Sequence, residues 1–207
     1  VFSSLNDCNI DVDVIIDFSN AQAVDGLLDY AVASKTPVVL CTTGLSEEQL
    51  DKVEAASKHV AVLRSANMSI GINVILKLLK EAVSRFAPEG FDVEIVEKHH
   101  NQKLDAPSGT AIALADAMNE EMNGMYEYVY DRSQVRKKRG KKELGISAIR
   151  GGNIVGEHDV IFAGTDEVIT ISHSAHSKAI FAKGAIAAAK YLAGRTPGLY
   201  DMSDVMA

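Results

Sequence analysis

Apolar positions in the first third of the chain fall into short unbroken runs separated by segments of helical spacing. Val12, Val14, Ile15, Ile16 and Phe18 form one run, ending at Asp17-Phe18-Ser19-Asn20. Ala21 to Ser34 follows with Ala23, Val24, Leu27, Leu28 and Ala31 on one stripe, the spacing of an amphipathic helix. Pro37 opens a second run, Val38-Val39-Leu40, closed by Cys41-Thr42-Thr43-Gly44. Ser46 with Gln49 three residues on is a capping-box pattern, and it predicts a helix to about Ser57. A third run, Val60 to Leu63, leads into Ser65-Ala66-Asn67. Buried strands alternating with helices predict a parallel α/β sheet. Ligands of such sheets sit beyond the carboxyl ends of the strands, here Asp17 to Asn20, Cys41 to Gly44 and Ser65 to Ser69.

The later chain changes character near Ser69. Ile70 to Phe86 reads as a long helix with Ile72, Ile75, Leu76, Leu79 and Val83 inward. Phe91 to Glu97 alternates apolar and charged residues, so one face of its sheet is solvated or meets a partner. Ser108 to Met122 is helical, while Ile146 to Arg150, Gly156 to Ala163 and Glu167 to Ser174 are strand-like. Gly164-Thr165-Asp166 supplies a hairpin turn between the last two. Ser177 to Leu192 is an Ala-rich helix with Gly194 just past its end. The expected layout is a parallel α/β region followed by an α+β region.

Composition narrows the function classes. A chain of 207 residues makes one large domain or two small ones, and 47% hydrophobic with 24% charged residues excludes collagen-like and disordered chains. The net charge of −7 argues against nucleic acid as the main partner. Arg136-Lys137-Lys138-Arg139 and Lys141-Lys142 carry no interleaved aromatics and read as a solvated, mobile loop. Cys8 and Cys41 are too few for a disulfide framework or a four-cysteine zinc site, and fit a reducing, cytoplasmic setting. Cys41 has nothing basic beside it and reads as an inert strand-end thiol. No apolar run approaches the ~20 residues of a membrane helix, so no membrane partner is expected.

The chemistry concentrates in Glu97-Lys98-His99-His100-Asn101-Gln102-Lys103-Leu104-Asp105-Ala106-Pro107-Ser108-Gly109-Thr110-Ala111. A strand ends in two histidines, a loop carries Lys103, and a helix begins at Ser108. The first amides of a helix carry positive partial charge, and Gly109 lets a ligand approach the backbone. Ser108 and Thr110 add hydroxyls, Lys103 adds a full charge, and a histidine exchanges protons near neutrality. The segment reads as a place that binds a small anion and then protonates it. Taken singly, Ser108 is an N-cap and the histidines are surface polar residues; a cap does not need Lys103, two histidines and a Gly-Thr pair in twelve positions. His158, His173 and His176 lack metalloprotease spacing, so no metal site is expected.

This string closely resembles the signature of the 4-hydroxy-tetrahydrodipicolinate reductase family, Glu-x-His-His-x-x-Lys-x-Asp-Ala-Pro-Ser-Gly-Thr-Ala, from Glu97 to Ala111. Similar stretches run through Asp17-Phe18-Ser19, Thr42-Thr43-Gly44, Asn67-Met68-Ser69, Arg150-Gly151-Gly152, Gly156-Glu157-His158 and Gly198-Leu199-Tyr200-Asp201-Met202. The resemblance implies a partial Rossmann-like parallel sheet plus a second α+β domain with a mixed or antiparallel sheet. It implies a dinucleotide-binding domain of residues 1–68 and 178–207, and a substrate and oligomerisation domain of residues 69–177. It implies reduction of 4-hydroxy-tetrahydrodipicolinate to tetrahydrodipicolinate, in lysine and diaminopimelate biosynthesis, with NADPH or NADH as cofactor and a homotetrameric assembly. His99 takes the position of the general acid and Lys103 that of its partner. His100, Ser108, Gly109 and Thr110 take those of binders of a substrate carboxylate. Cys41, Thr42 and Thr43, with Ser65, Ala66, Asn67 and Met68, take those on the nicotinamide side of the cofactor.

The chain departs from the family pattern in three places. Cys41 stands where glycine is usual, and Lys178 where arginine is usual, a point charge in place of a planar fork. No Gly-x-Gly-x-x-Gly run occurs; the family carries its pyrophosphate loop upstream of the Asp17 strand. The expectation is a chain that starts after that loop, binds reduced cofactor weakly and turns over poorly. The alternative readings are a non-catalytic dicarboxylate-binding fragment and, more remotely, metal-dependent hydrolysis through the histidines.

Overall fold

In the computed structural model of the chain, residues 4–8 and 10–206 are described. They divide into two compact units, one running to Ile70 and resuming at Ala179, the other spanning Gly71–Lys178.

The first unit is a parallel sheet with helices on both faces. Its strands are β1 (Ile15–Asp17), β2 (Val38–Leu40), β3 (Ala61–Arg64) and β9 (Gly198–Tyr200), in the order β1-β2-β3-β9. Ile15, Val38 and Val62 stand in register across the first three strands. Helices α1 (Ala21–Ser34) and α2 (Glu47–Ser57) bury Val24, Leu28 and Val53 against Val38, Leu40 and Val62. Val39 and Leu63 point the other way and pack on Ala185, Ala188 and Leu192 of α5 (Ala179–Leu192). Successive side chains of a fully buried strand serve opposite faces, which is why these runs lack polar alternation. The Ser46 capping box forms as the spacing predicts, with the Gln49 amide donating to Ser46 Oγ at 3.3 Å and the Ser46 amide donating to Gln49 Oε1 at 3.2 Å. At Gly184 of α5, a Cβ would stand 1.6 Å from the carbonyl oxygen of Met68, so only glycine admits this approach.

The second unit is a mixed sheet covered on one face. Its strands are β4 (Asp92–His99), β5 (Glu127–Val129), β6 (Glu143–Arg150), β7 (Gly156–Ala163) and β8 (Val168–Ala175), ordered β5-β6-β4-β7-β8. β5 and β6 run parallel to each other, as do β6 and β4, whereas β7 is antiparallel to both β4 and β8. Helices α3 (Ile70–Phe86) and α4 (Gly109–Glu121) pack Leu79, Val83, Leu114 and Met118 on Val93, Ile95, Ile146, Val160 and Phe162.

Several elements differ from the sequence reading. The first apolar run contributes only Ile15–Asp17 to the sheet, and Val12 is 47% exposed outside it. β5, β9 and the short helix α6 (Met202–Val205) carry no apolar run of their own; β9 joins the sheet by pairing Gly198 with Ala61 in parallel. The basic segment is not wholly solvated. Arg139 lies against β4, donating to Glu94 Oε1 and Asp92 Oδ1 at 2.8 Å and to the Val93 carbonyl at 2.9 Å, and it also bonds the Glu143 carbonyl. Arg132 pairs with Glu143. These charges are consumed within the unit by acidic partners distant in sequence.

Candidate active site

The signature segment lies in the second unit, where β4 ends and α4 begins. Counting along β4 from Val93, the odd positions Val93, Ile95, Glu97 and His99 are buried on the helix-covered face. Glu97 therefore breaks the apolar–charged alternation that the sequence suggested: it takes the parity of the core and is fully buried. His99 follows on the same face, because residues two apart on a strand point the same way.

Four donors surround the Glu97 carboxylate. Arg150, from the neighbouring β6, grips it with both ends of its guanidinium, at 2.7 Å to Oε1 and 2.8 Å to Oε2. The Ser108 amide donates to Oε1 at 3.0 Å, and His99 Nδ1 lies 2.6 Å from Oε2. Burial alone would raise this carboxyl, but Arg150, His99 and the Ser108 amide outweigh burial and hold it below the ordinary carboxylate range. Arg150 also donates to the Asp105 carbonyl at 2.7 Å, tying down the loop between β4 and α4. That loop is closed on its other side by the Gly151 amide donating to the His99 carbonyl at 2.9 Å.

Ser108 is the N-cap of α4. Its hydroxyl accepts the Ala111 amide at 3.2 Å and lies 3.0 Å from His158 Nε2 on β7. The rings of His99 and His158 meet edge to face, with centroids 5.2 Å apart, and His173 stands opposite His158 on β8. Burial, with the His99 ring beside it, pushes His158 down to about 4, so it is neutral at physiological pH. Gly156 lies under this group; a Cβ there would stand 3.0 Å from His99 Nε2.

The sequence-named residues are not all joined. His99 and Ser108 meet through Glu97. Lys103 is paired with Asp105 at 2.7 Å, not with His99, and it holds the Asp105 carboxyl below the ordinary range. His100 is half-buried just past the strand, Thr110 is half-buried and Gly109 exposed, with open space where a Cβ would stand. Glu97 and Arg150 carry the geometry without having been named as site residues. The signals for Glu97 are its parity with Val93 and Ile95 and its place at the head of the signature; for Arg150 the signal is the Arg150-Gly151-Gly152 stretch, while its register opposite His99 is set only by pairing of β4 with β6. Among the described residues, no group of three or more His, Cys, Asp or Glu side chains is arranged to hold a metal ion.

In the first unit the named residues line the carboxyl ends of β1, β2 and β3. Thr42 donates to Asp17 Oδ2 at 2.6 Å. Asn67 Oδ1 accepts the Ser69 amide at 2.8 Å, and Met68 packs into the α5 core. Ser65 is half-buried, and Thr43 and Ala66 are exposed. The Cys41 thiol is pushed up to about 12 by burial and the nearby Asp17 charge, so it stays protonated.

Residues 1–68 match the family described as "Dihydrodipicolinate reductase, N-terminus", and residues 71–206 match "Dihydrodipicolinate reductase, C-terminus". The chain belongs to the dihydrodipicolinate reductase family. It is 56% identical over 206 residues to the 4-hydroxy-tetrahydrodipicolinate reductase of Caldanaerobacter subterraneus subsp. tengcongensis, covering all of this chain and 81% of that protein. It is 50% identical to that of Clostridium novyi, again with 100% and 81% coverage. Among solved structures, the dipicolinate-bound reductase from Paenisporosarcina sp. TG-14 has a similar fold, with a TM-score of 0.74 at 23% identity, covering 91% of this chain and 71% of that one. A probable dehydrogenase from Thermotoga maritima shares the fold more distantly, with a TM-score of 0.55 at 13% identity, covering 95% and 74%. Members of this family are reductases, and the predicted α/β fold with a mixed second sheet is the one observed.

Proposed function

We propose that this protein reduces 4-hydroxy-tetrahydrodipicolinate to tetrahydrodipicolinate in lysine and diaminopimelate biosynthesis. The observation that carries the reading is the His99 imidazole, clamped at Nδ1 by buried Glu97 beside the amino end of α4. A reduced nicotinamide, NADPH or NADH, supplies hydride when bound. The residues of the first unit suit such a cofactor: hydroxyl and amide side chains (Thr42, Thr43, Ser65, Asn67) gather at the carboxyl ends of parallel strands, and the exposed positions Thr43, Gly44 and Ala66 leave backbone open to approach. Cys41 and Met68 contribute there through backbone, since the thiol stays protonated and the Met68 side chain belongs to the core.

In the second unit, Lys103 and the amino end of α4 at Gly109 and Thr110 attract the carboxylates of the substrate. His100 adds a donor at the rim, and buried Ser108 keeps the turn in place. His99, its Nδ1–H directed to Glu97, delivers a proton from Nε2 and is left neutral. The uncovered face of the second sheet, with Val168 63% and Ile149 47% exposed, is where copies would associate as a homotetramer. Two half-buried free cysteines fit a cytoplasmic setting.

The test is to replace His99 and Lys103 together, His99→Gln with Lys103→Ala, and follow oxidation of the reduced cofactor. The expected loss in kcat is on the order of 1000-fold; unchanged turnover overturns the assignment. Lys103→Ala alone is expected to raise KM for the diacid more than it lowers kcat, because its charge binds ground state and transition state alike.

A further inference from the structure

We infer that Glu97, gripped by Arg150, is a positioning residue that fixes His99 as the Nδ1–H tautomer and keeps Nε2 for the reaction. The inference rests on the reading of His99 as proton donor. An ionised carboxylate only accepts hydrogen bonds. The proton in the 2.6 Å contact between His99 Nδ1 and Glu97 Oε2 therefore belongs to the imidazole. Neutral imidazole has a single N–H, so Nε2 is then the bare nitrogen, able to hold or release a proton without disturbing Nδ1. None of the described residues bonds Nε2.

The cost of this arrangement argues for a task. A carboxylate with no exposure is unfavourable unless every lone pair is answered, and Val93 and Ile95 show what the same face of β4 otherwise carries. Here the answer is complete. Oε1 takes the Arg150 Nη2 and Ser108 donors, and Oε2 takes Arg150 Nη1 and His99. The bidentate guanidinium leaves the carboxylate no freedom to rotate, so the imidazole plane is set by β6 as well as by β4. One carboxylate thus locks the proton donor and, through the Ser108 amide, the start of α4 in a single register. Arg150 adds a third fixed point at the Asp105 carbonyl, on the loop that bears Lys103.

The experiment combines nitrogen-15 NMR of histidine-labelled protein with pH-dependent kinetics. The His99 signals are assigned by their loss in His99→Gln. In the unsubstituted protein without ligands, His99 is expected to carry its proton on Nδ1; a proton on Nε2 overturns the inference, and this needs no variant to fold. In Glu97→Gln the tautomers are expected to mix. There kcat should fall on the order of 100-fold while KM changes less than about threefold. The pH profile of kcat/KM should change as well, since the amide leaves the imidazole without its fixed charged partner. Arg150→Lys, whose single ammonium cannot hold both oxygens, should fall between. If His99→Gln leaves turnover intact, the proton-donor reading itself fails. If His99→Gln is inactive but Glu97→Gln keeps both tautomer and pH profile, only the positioning role fails.

Discussion

Ser108 and His158, fifty residues apart, share one buried hydrogen bond, with Ser108 Oγ 3.0 Å from His158 Nε2 while the same oxygen accepts the Ala111 amide. The hydroxyl serves both at once: its oxygen accepts the helix amide and still has a proton to give, or a second lone pair to offer, to the imidazole according to the His158 tautomer. Ser108→Ala removes the cap of α4 and strands a buried imidazole nitrogen. The expected loss of stability is about 2–4 kcal/mol, the sum of a cap and a buried ring nitrogen left without its partner. Chemical denaturation of the variant measures it; a loss below about 0.5 kcal/mol would contradict the bond.

His158 also sets a pH dependence. Its folded-state value lies near 4, against 6.5 when unfolded. Between these values the unfolded chain binds a proton that the folded chain refuses, so stability falls as pH drops from about 6.5 toward 4. The contribution is on the order of 3 kcal/mol across that window. His173, lowered by burial, acts in the same direction. Denaturation midpoints across this range should slope less steeply in His158→Gln than in the unsubstituted protein; an unaltered slope would show the proton is lost elsewhere.

Two glycines of the first unit should respond with opposite sign to alanine. Gly184→Ala drives a Cβ onto the Met68 carbonyl, and a backbone atom cannot step aside as a side chain can. The expected cost is about 2 kcal/mol or more, after the helix-propensity gain. Gly26, in α1, has nothing within 4 Å of where its Cβ would stand, and Gly26→Ala should stabilise by about 0.5–1 kcal/mol. Paired thermal melts decide both signs.

Arg139 anchors the basic segment to β4. It answers Asp92, Glu94 and three backbone carbonyls while only 17% of its side chain is exposed. Arg139→Ala should cost about 2–3 kcal/mol, since these partners remain where they are. Trypsin should then cut at Arg136 to Lys138 faster than in the unsubstituted protein, because the loop has lost its anchor. Equal digestion rates would mean the segment is held by something else.

Much of the architecture was legible in the chain. The runs at Val38 to Leu40 and Val60 to Leu63, the Ser46–Gln49 box and the stripe from Ile72 to Val83 are local patterns, and each element formed where its pattern lay. The short strands at Glu127–Val129 and Gly198–Tyr200 were not legible, because a three-residue strand takes its pairing from a neighbour rather than from its own composition. The basic run from Arg136 to Lys142 looks solvent-facing for a related reason: a charge run has the same appearance whether or not acidic partners from another strand are waiting for it.

The order of residues alone determined that a strand would deliver His99 to the start of a helix capped by Ser108, because periodicity and capping act over a few neighbours. Tertiary structure decided what grips that imidazole. Pairing of β4 with β6 sets Arg150 beside His99, and pairing with β7 brings His158 to Ser108. Contacts fifty or more residues apart depend on strand order and register, and those follow from burying a whole sheet at once rather than from any segment.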